Sequence, residues 1–312
     1  MPSRYALIDL GTNTFHLLIV ELDAGGVQQT LYKTKVPVKL GQGGINKGEI
    51  TPEARERGLN TLTEFREIMN QHQVEVVKAT ATSALRNASN GLEVIQAIKE
   101  QTGIDVEVIS GAREAELIFK GVQLAMEIGP KPVLVMDIGG GSVEFIIGTE
   151  KGVLWKKSFE IGAQRLLDKF YQDQEQAISP EQVKALRHYL QDHLQKLTAA
   201  VLQHQPEVLV GSSGTFDTLV DMDLAARNIT RDPNGSPDMS LELTTFQKQY
   251  KELLQKNRTK RLAIPGMLEM RVDMIVVACV AIAWTLEKFN LEKIRVSAYA
   301  LKEGMLAELL QE

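Results

Sequence analysis

Two stretches of this chain carry residue types that can hold a phosphate chain and its counter-cation. Ala6-Leu-Ile-Asp-Leu-Gly-Thr-Asn-Thr-Phe-His-Leu-Leu-Ile19 and Leu134-Val-Met-Asp-Ile-Gly-Gly-Gly-Ser-Val-Glu-Phe-Ile-Ile147 share one plan. Each is an apolar strand ending in Asp, a turn of small residues, and a second apolar strand. In one register Asp9 matches Asp137, Gly11 matches Gly139, Thr14 matches Ser142, and His16 matches Glu144. Two such turns facing each other would offer backbone N–H groups from both sides and an acid from each. That arrangement suits phosphate and a divalent cation.

The hard oxygens of Asp137 and Glu144, with Asp9, suit Mg²⁺, which keeps several waters of its own. Gly139, Gly140 and Gly141 let backbone N–H groups approach a phosphate without Cβ interference, or alternatively supply positive φ to a plain hairpin. Thr12, Asn13, Thr14 and Ser142 can bond phosphate oxygens or make the turns, and both roles can hold together. Arg86 follows the Thr80-Ala-Thr-Ser-Ala-Leu stretch, and its planar fork suits two-point phosphate contact. A solvent-exposed helix arginine is the alternative. Glu114 opens a helix, where an acid also favours the positive helix start.

Gly211, Ser212, Ser213, Gly214 and Thr215 lie between a strand and a helix, a position that favours anions. Arg258, Lys260, Arg261 and Arg271 form a basic run that either tracks an anionic chain or is a solvated face. His16 either points into a cleft or is a hydrogen-bonded strand residue. His188 and His193 are five apart, which is not the spacing of a zinc pair.

The elements that must position these groups follow from periodicity. Strands are expected at 5–9, 14–21 and 26–35, the last two joined by Asp23-Ala-Gly-Gly26. A Thr51 cap with Pro52 starts a helix to about 71. A strand at 74–79, helices at 89–101 and 110–128 and a strand at 106–109 complete the first unit. After Gly129-Pro-Lys-Pro132 the pattern restarts with strands at 133–137, 143–148 and 152–159. Helices at 162–171 and 180–203, a strand at 208–210 and a helix at 215–226 follow. Arg231-Asp-Pro-Asn-Gly-Ser-Pro-Asp238 reads as a surface loop. Helices at 244–257 and 272–289, a strand at 295–297 and a helix at 299–311 end the chain.

The whole suggests two related α/β units with a cleft between them and a boundary within 121–131. At 312 residues the chain suits two cores. A net charge of −5 gives no general attraction to DNA or to anionic membranes, so any anion site is built locally. The single Cys279 excludes an intramolecular disulfide framework, fits a reducing cytoplasm and reads as a buried inert thiol. No signal peptide is visible, and the apolar run from Met274 to Leu286 is too short to span a bilayer.

The duplicated three-strand-then-helix plan resembles the actin-like ATPase superfamily. The motifs resemble, more narrowly, the exopolyphosphatase and guanosine pentaphosphate phosphatase (Ppx/GppA) family. They are Asp9-Leu-Gly-Thr-Asn-Thr-Phe-His16, Ala81-Thr-Ser-Ala-Leu-Arg86, Ile109-Ser-Gly-Ala-Arg-Glu-Ala115, Asp137-Ile-Gly-Gly-Gly-Ser142 with Glu144, Gly211-Ser-Ser-Gly-Thr215, Leu262-Ala-Ile-Pro-Gly266 with Arg271 and Asp273, and Ala300-Leu-Lys-Glu-Gly304. They keep the family's order over nearly the whole chain.

The resemblance implies an α/β protein of two actin-like (ribonuclease H-like) domains, each a mixed sheet with flanking helices. The domains would be residues 1–125, with the terminal helix 299–312 packing back on them, and 126–298. It implies Mg²⁺-dependent release of the terminal phosphate from polyphosphate or pppGpp, a homodimer through the second domain, and a cytoplasmic enzyme. Glu114 aligns with the family's water-activating base, while Arg113 and Glu116 depart from the commonest pattern around it. Catalysis would fall to Glu114, Glu144 and Arg86. Phosphate contact would fall to both turns, to the 211–215 loop and to Arg271. An ATP-dependent kinase or ATPase of the wider superfamily, and a regulator that binds without turnover, are the alternatives.

Overall fold

The computed structural model describes residues 3–23, 26, 28–232 and 235–311. The first sheet contains β1 (Ser3–Leu10), β2 (Phe15–Leu22), β3 (Gln28–Val36), β4 (Val76–Ala81) and β5 (Val106–Val108), in the order β3-β2-β1-β4-β5. β1 and β2 are antiparallel, whereas β1 and β4 are parallel. The helices α1 (Pro52–Gln71), α2 (Ser83–Asn87), α3 (Gly91–Thr102) and α4 (Gly111–Ala125) lie between or after these strands. α1 begins where its sequence says, with the Thr51 side chain accepting from the Ala54 N–H at 3.3 Å and Pro52 at its first position.

The second sheet contains β6 (Val133–Ile138), β7 (Val143–Thr149), β8 (Gly152–Phe159), β9 (Val208–Ser212), β10 (Asp238–Leu241) and β11 (Lys293–Ser297), ordered β10-β11-β9-β6-β7-β8. Read from its β8 edge, this sheet repeats the plan of the first: third strand, second, first, then two parallel strands. β10 is an addition on the far edge, antiparallel to β11. The expected α/β architecture of two mixed sheets with flanking helices is what the chain adopts. β6, the central strand of the repeat, is buried along its whole length, as its apolar run from Val133 to Met136 requires, and it carries Asp137 into that burial.

Several elements differ from expectation. The segment read as a loop up to Asp238 turns into β10 at that residue, because a four-residue strand held by distant β11 leaves no local periodic signal. Pro233 and Asn234 of that segment, like Ala24 and Gly25 of the β2–β3 connection, lie outside the described residues. The helix expected over 180–203 breaks at Leu194 into α6 (Pro180–His193) and α7 (Gln195–His204). The remaining helices are α5 (Ala163–Phe170), α8 (Gly214–Ala226), α9 (Leu243–Gln255), the short α10 (Arg258–Leu262), α11 (Ile275–Phe289) and α12 (Leu301–Leu309). α11 is buried from Ile275 to Leu286 within this chain, which accounts for its apolar face without a partner subunit. Among the described residues no helix is long and apolar enough to cross a membrane.

Two cores fill the far sides of the sheets, and a third lies between them. That third core joins Leu7 and Val20 of the first sheet to Val135 and Val210 of the second through α4 and α12. The two helices touch at glycines. A Cβ on Gly304 would stand 1.8 Å from the Leu117 carbonyl oxygen, and one on Gly121 would stand 2.1 Å from that of Ala300. Only hydrogen fits at these points, so the helix pair is fixed in one crossing.

Candidate active site

The two acidic turns face each other across the gap between the sheets. Asp9 pairs with His16 and Asp137 with Glu144 across their hairpins, as the matched register requires. A Cβ on Gly140 would lie 2.4 Å from Nδ2 of Asn13, and one on Gly141 would lie 2.4 Å from Oγ of Ser83 and 2.6 Å from Oγ1 of Thr12. The bare glycines of the second turn thus make room for side chains of the first half. None of Gly11, Gly139, Gly140 and Gly141 has a positive φ, so the hairpin alternative does not explain them.

Each turn is held from behind. The N–H groups of Gly162, Ala163 and Gln164, at the start of α5, donate to the carbonyls of Gly141, Gly139 and Gly140 at 2.9–3.1 Å. Because a peptide's N–H and C=O point oppositely, the turn's own N–H groups face away from α5. In the first half the loop after β3 does the same work, with Lys39 and Gly41 donating to the carbonyls of Asn13 and Thr12 at 2.8 and 2.9 Å.

Three buried carboxylates, Glu114, Asp137 and Glu144, and the half-buried Asp9 lie here and repel one another. Burial pushes Asp9 up to about 8, with the charges of Glu114 and Asp137 adding to the shift. Burial raises Asp137 to about 6, opposed by a hydrogen bond from Ser212 and the charge of Lys302. Glu144 lies well above its ordinary value, raised by burial, Glu114 and Asp137 although Ser158 donates to its Oε1 at 2.6 Å. Oδ1 of Asp9, Oδ2 of Asp137 and Oδ1 of Asn13 are buried without a hydrogen-bond partner. Unsatisfied hard oxygens of this kind fit Mg²⁺, which needs only one or two carboxylates beside water and substrate. Among the described residues no cluster of three or more metal-ligating side chains is preformed.

Glu114 lies in the first turn of α4, whose Ser110 cap accepts from Arg113 N–H. Its carboxylate is buried and accepts from Nη1 of Arg86 at 2.8 Å. Burial raises it to about 7, with Arg86 pulling the other way. Arg86 is therefore not a solvated helix arginine: its side chain is 16% exposed, and Nη1 also donates to the Ile109 carbonyl at 3.1 Å.

The 211–215 loop sits at the end of β9, with Ser212 beside Asp137 across the β6–β9 ladder. Ser213, at φ 74°, donates to the Ile138 carbonyl at 2.9 Å. The space beside Gly211 is taken by the ring of Phe216, and that beside Gly214 by the guanidinium of Arg271. Nε of Arg271 is buried without a partner, and burial pulls this arginine below its ordinary value. The other members of the basic run do not join it. Arg261 is fully buried and donates to Tyr171, Lys256 and Gln174, so it braces a loop. Arg258 pairs with Asp273 at 2.7 Å. His16 is held well below its ordinary value by burial and by Lys302, so it is neutral.

Three residues with no role expected from the sequence converge here. Lys302 of α12 is buried, donates to Glu303 at 2.8 Å, and its charge acts on both Asp9 and Asp137. Glu160 and Arg165, from the second half, bond to the first. Glu160 Oε2 accepts from Ser83 at 2.6 Å, and Arg165 donates to the Ile45 carbonyl at 2.7 Å. The only sequence signal among them is the place of Lys302 in the Ala300-Leu-Lys-Glu-Gly304 motif.

Comparison with known proteins agrees with this geometry. The Ppx/GppA phosphatase family model matches residues 18–312. A guanosine-5'-triphosphate,3'-diphosphate pyrophosphatase of Photobacterium profundum is 31% identical over 308 residues, 99% of this chain and 59% of that protein. The chain thus spans little more than half the length of that relative. The crystal structure of an exopolyphosphatase from Cytophaga hutchinsonii superposes with a TM-score of 0.95 at 45% identity, over 99% of this chain and 98% of that one. A Ppx/GppA family member from Aquifex aeolicus superposes with a TM-score of 0.79 at 25% identity, over 100% and 98%. On the match over residues 18–312 and the 45% identity, this chain belongs to the Ppx/GppA phosphatase family.

Proposed function

We propose that this protein is a phosphoanhydride hydrolase that releases the terminal phosphate of inorganic polyphosphate or of pppGpp. The observation that carries this reading is Glu114: a desolvated carboxylate near pKa 7, oriented by Arg86 beside the two facing acidic turns. A base poised near neutral pH can take a proton from water while the turns and Arg86 hold the phosphate.

The water oxygen bonds to the terminal phosphorus and its proton passes to Glu114. The bond from phosphorus to the bridging oxygen breaks, and that oxygen keeps the electron pair. The products are inorganic phosphate and a chain one unit shorter. Asp9 and Asp137, whose Oδ1 and Oδ2 lack partners, would hold Mg²⁺ with Glu144 beside Asp137, and the ion would supply charge neutralisation at the phosphate oxygens. Arg271 and Lys302 carry positive charge at the site, with Lys33 and Lys35 of β3 near them. Those cations suit the phosphates behind the terminal one.

Phosphate release measured side by side on long-chain polyphosphate, pppGpp and ATP, with and without Mg²⁺, tests the reading. Turnover of one of the first two is expected, dependent on Mg²⁺ and reduced about 100-fold or more by Glu114→Gln. Turnover of ATP alone, or full activity in Glu114→Gln, would overturn it.

A further inference from the structure

Arg86 uses its two terminal nitrogens differently. Nη1 holds Glu114 at 2.8 Å, and Nη2 donates to Oε1 of Glu160 at 3.3 Å. Glu160 comes from the other half of the molecule, just after β8, and its side chain is 42% exposed against 9% for Glu114. Its second oxygen accepts from Ser83 Oγ at 2.6 Å and lies 3.3 Å from Arg165 Nη2. Glu160 thus satisfies a guanidinium nitrogen and a hydroxyl of the first half at once, with a pair of oxygens spaced as in a phosphate.

Glu160 is also tied to the phosphate turn itself. Two residues on, Gly162 N–H donates to the Gly141 carbonyl, and Arg165 Nε donates to the same carbonyl at 2.9 Å. The carboxylate is therefore carried on the same arm as the second turn and reaches across to the first half.

We infer that Glu160 is a gating carboxylate: it occupies the phosphate-binding donors of Arg86 and Ser83 in the empty site, and the terminal phosphate of the substrate displaces it. This inference rests on the hydrolase reading for the identity of the substrate, but not for the anion. The Glu114 contact is short and buried and stays to orient the base. The Glu160 contact is long and half in solvent, where an ion pair contributes little. A dianionic phosphate with three terminal oxygens makes the stronger partner for a guanidinium fork. Glu160 therefore sets how tightly terminal phosphate and product phosphate are held, and keeps Nη2 of Arg86 from lacking a partner.

The test is Glu160→Gln, with Glu160→Ala as a second variant, both checked for an unchanged melting profile. Calorimetric titration with inorganic phosphate, together with KM for the substrate the wild type turns over, gives the two readouts. Loss of the competing charge should tighten phosphate binding and lower KM by about threefold. If Glu160 were only a clasp between the halves, both variants would bind phosphate more weakly. Weaker or unchanged binding in both variants overturns the inference. A wild type that releases no phosphate from any phosphoanhydride, with tighter phosphate binding in Glu160→Gln, would refute the hydrolase reading and leave Glu160 as the gate of an anion site.

Discussion

The turns at Asp9 and Asp137 share a register but divide the labour. The first is filled with side chains: Thr12 and Asn13 project across the gap. The second is hollow, and its Gly140 and Gly141 receive them. The strand partner of Asp9 is His16, kept neutral by burial and neighbouring cations, whereas the partner of Asp137 is a second acid, Glu144. The two hairpins follow one plan, but one is the key and the other the notch, and the acidic side chains are concentrated on the notch. Gly11 and Gly139 kept a common task, since a Cβ on either would press on a carbonyl of its own turn, Thr14 at 2.8 Å or Ser142 at 3.0 Å.

If the acid-rich turn is the main cation holder, Asp137→Asn should be the more damaging change. We expect phosphate release to fall about 100-fold in Asp137→Asn and about tenfold in Asp9→Asn, with a matching loss of apparent Mg²⁺ affinity. Equal losses would show that the turns still act as twins.

The key-and-notch reading predicts a second contrast. Gly141→Ala places a methyl against Ser83 and Thr12 across the cleft, whereas Gly139→Ala strains only its own turn. The first should raise KM about tenfold, from about 1–3 kcal/mol of overpacking in the closed arrangement. The second should act on thermal stability instead. A Gly141→Ala enzyme with normal KM would remove the notch from the account.

The smallest effect separates the turns by pH. Asp137, Glu114 and Asp9 have folded-state values raised to about 6, 7 and 8, above those of an unfolded chain. The folded state then binds more protons across this window, so in EDTA the melting temperature should fall as pH rises from roughly 5 to about 8. Asp137→Asn should flatten the lower part of that decline and Asp9→Asn the upper part. Added Mg²⁺ should stabilise more at the alkaline end, where the carboxylates are ionised. A melting temperature independent of pH in EDTA would contradict the clustering of these acids.

What the sequence made legible was local. The matched register of the two hairpins, the capped start of α1 and the repeated three-strand meander each come from contacts between near neighbours. The place of Glu114 was legible through a motif alone; its helix position fitted a capping acid equally well. What stayed hidden depends on distant partners. β10 forms only because β11 lies beside it. Glu160 reaches Ser83 from 77 residues away. Arg261 looks like a surface cation until Tyr171 and Gln174 are folded over it. Charge in a sequence says nothing of which long-range partner removes it from water.

The glycine crossing of α4 and α12 has a mechanical consequence. Any rocking of one sheet against the other would turn about this helix pair, the buried layer that both sheets share in the described core. Points on an axle travel least. Glu114 on α4 and Lys302 on α12 belong to that pair, so such a motion would displace them less than the hairpin tips. The salt bridge from Arg86 to Glu114 would then keep its geometry while the rest of the cleft breathes.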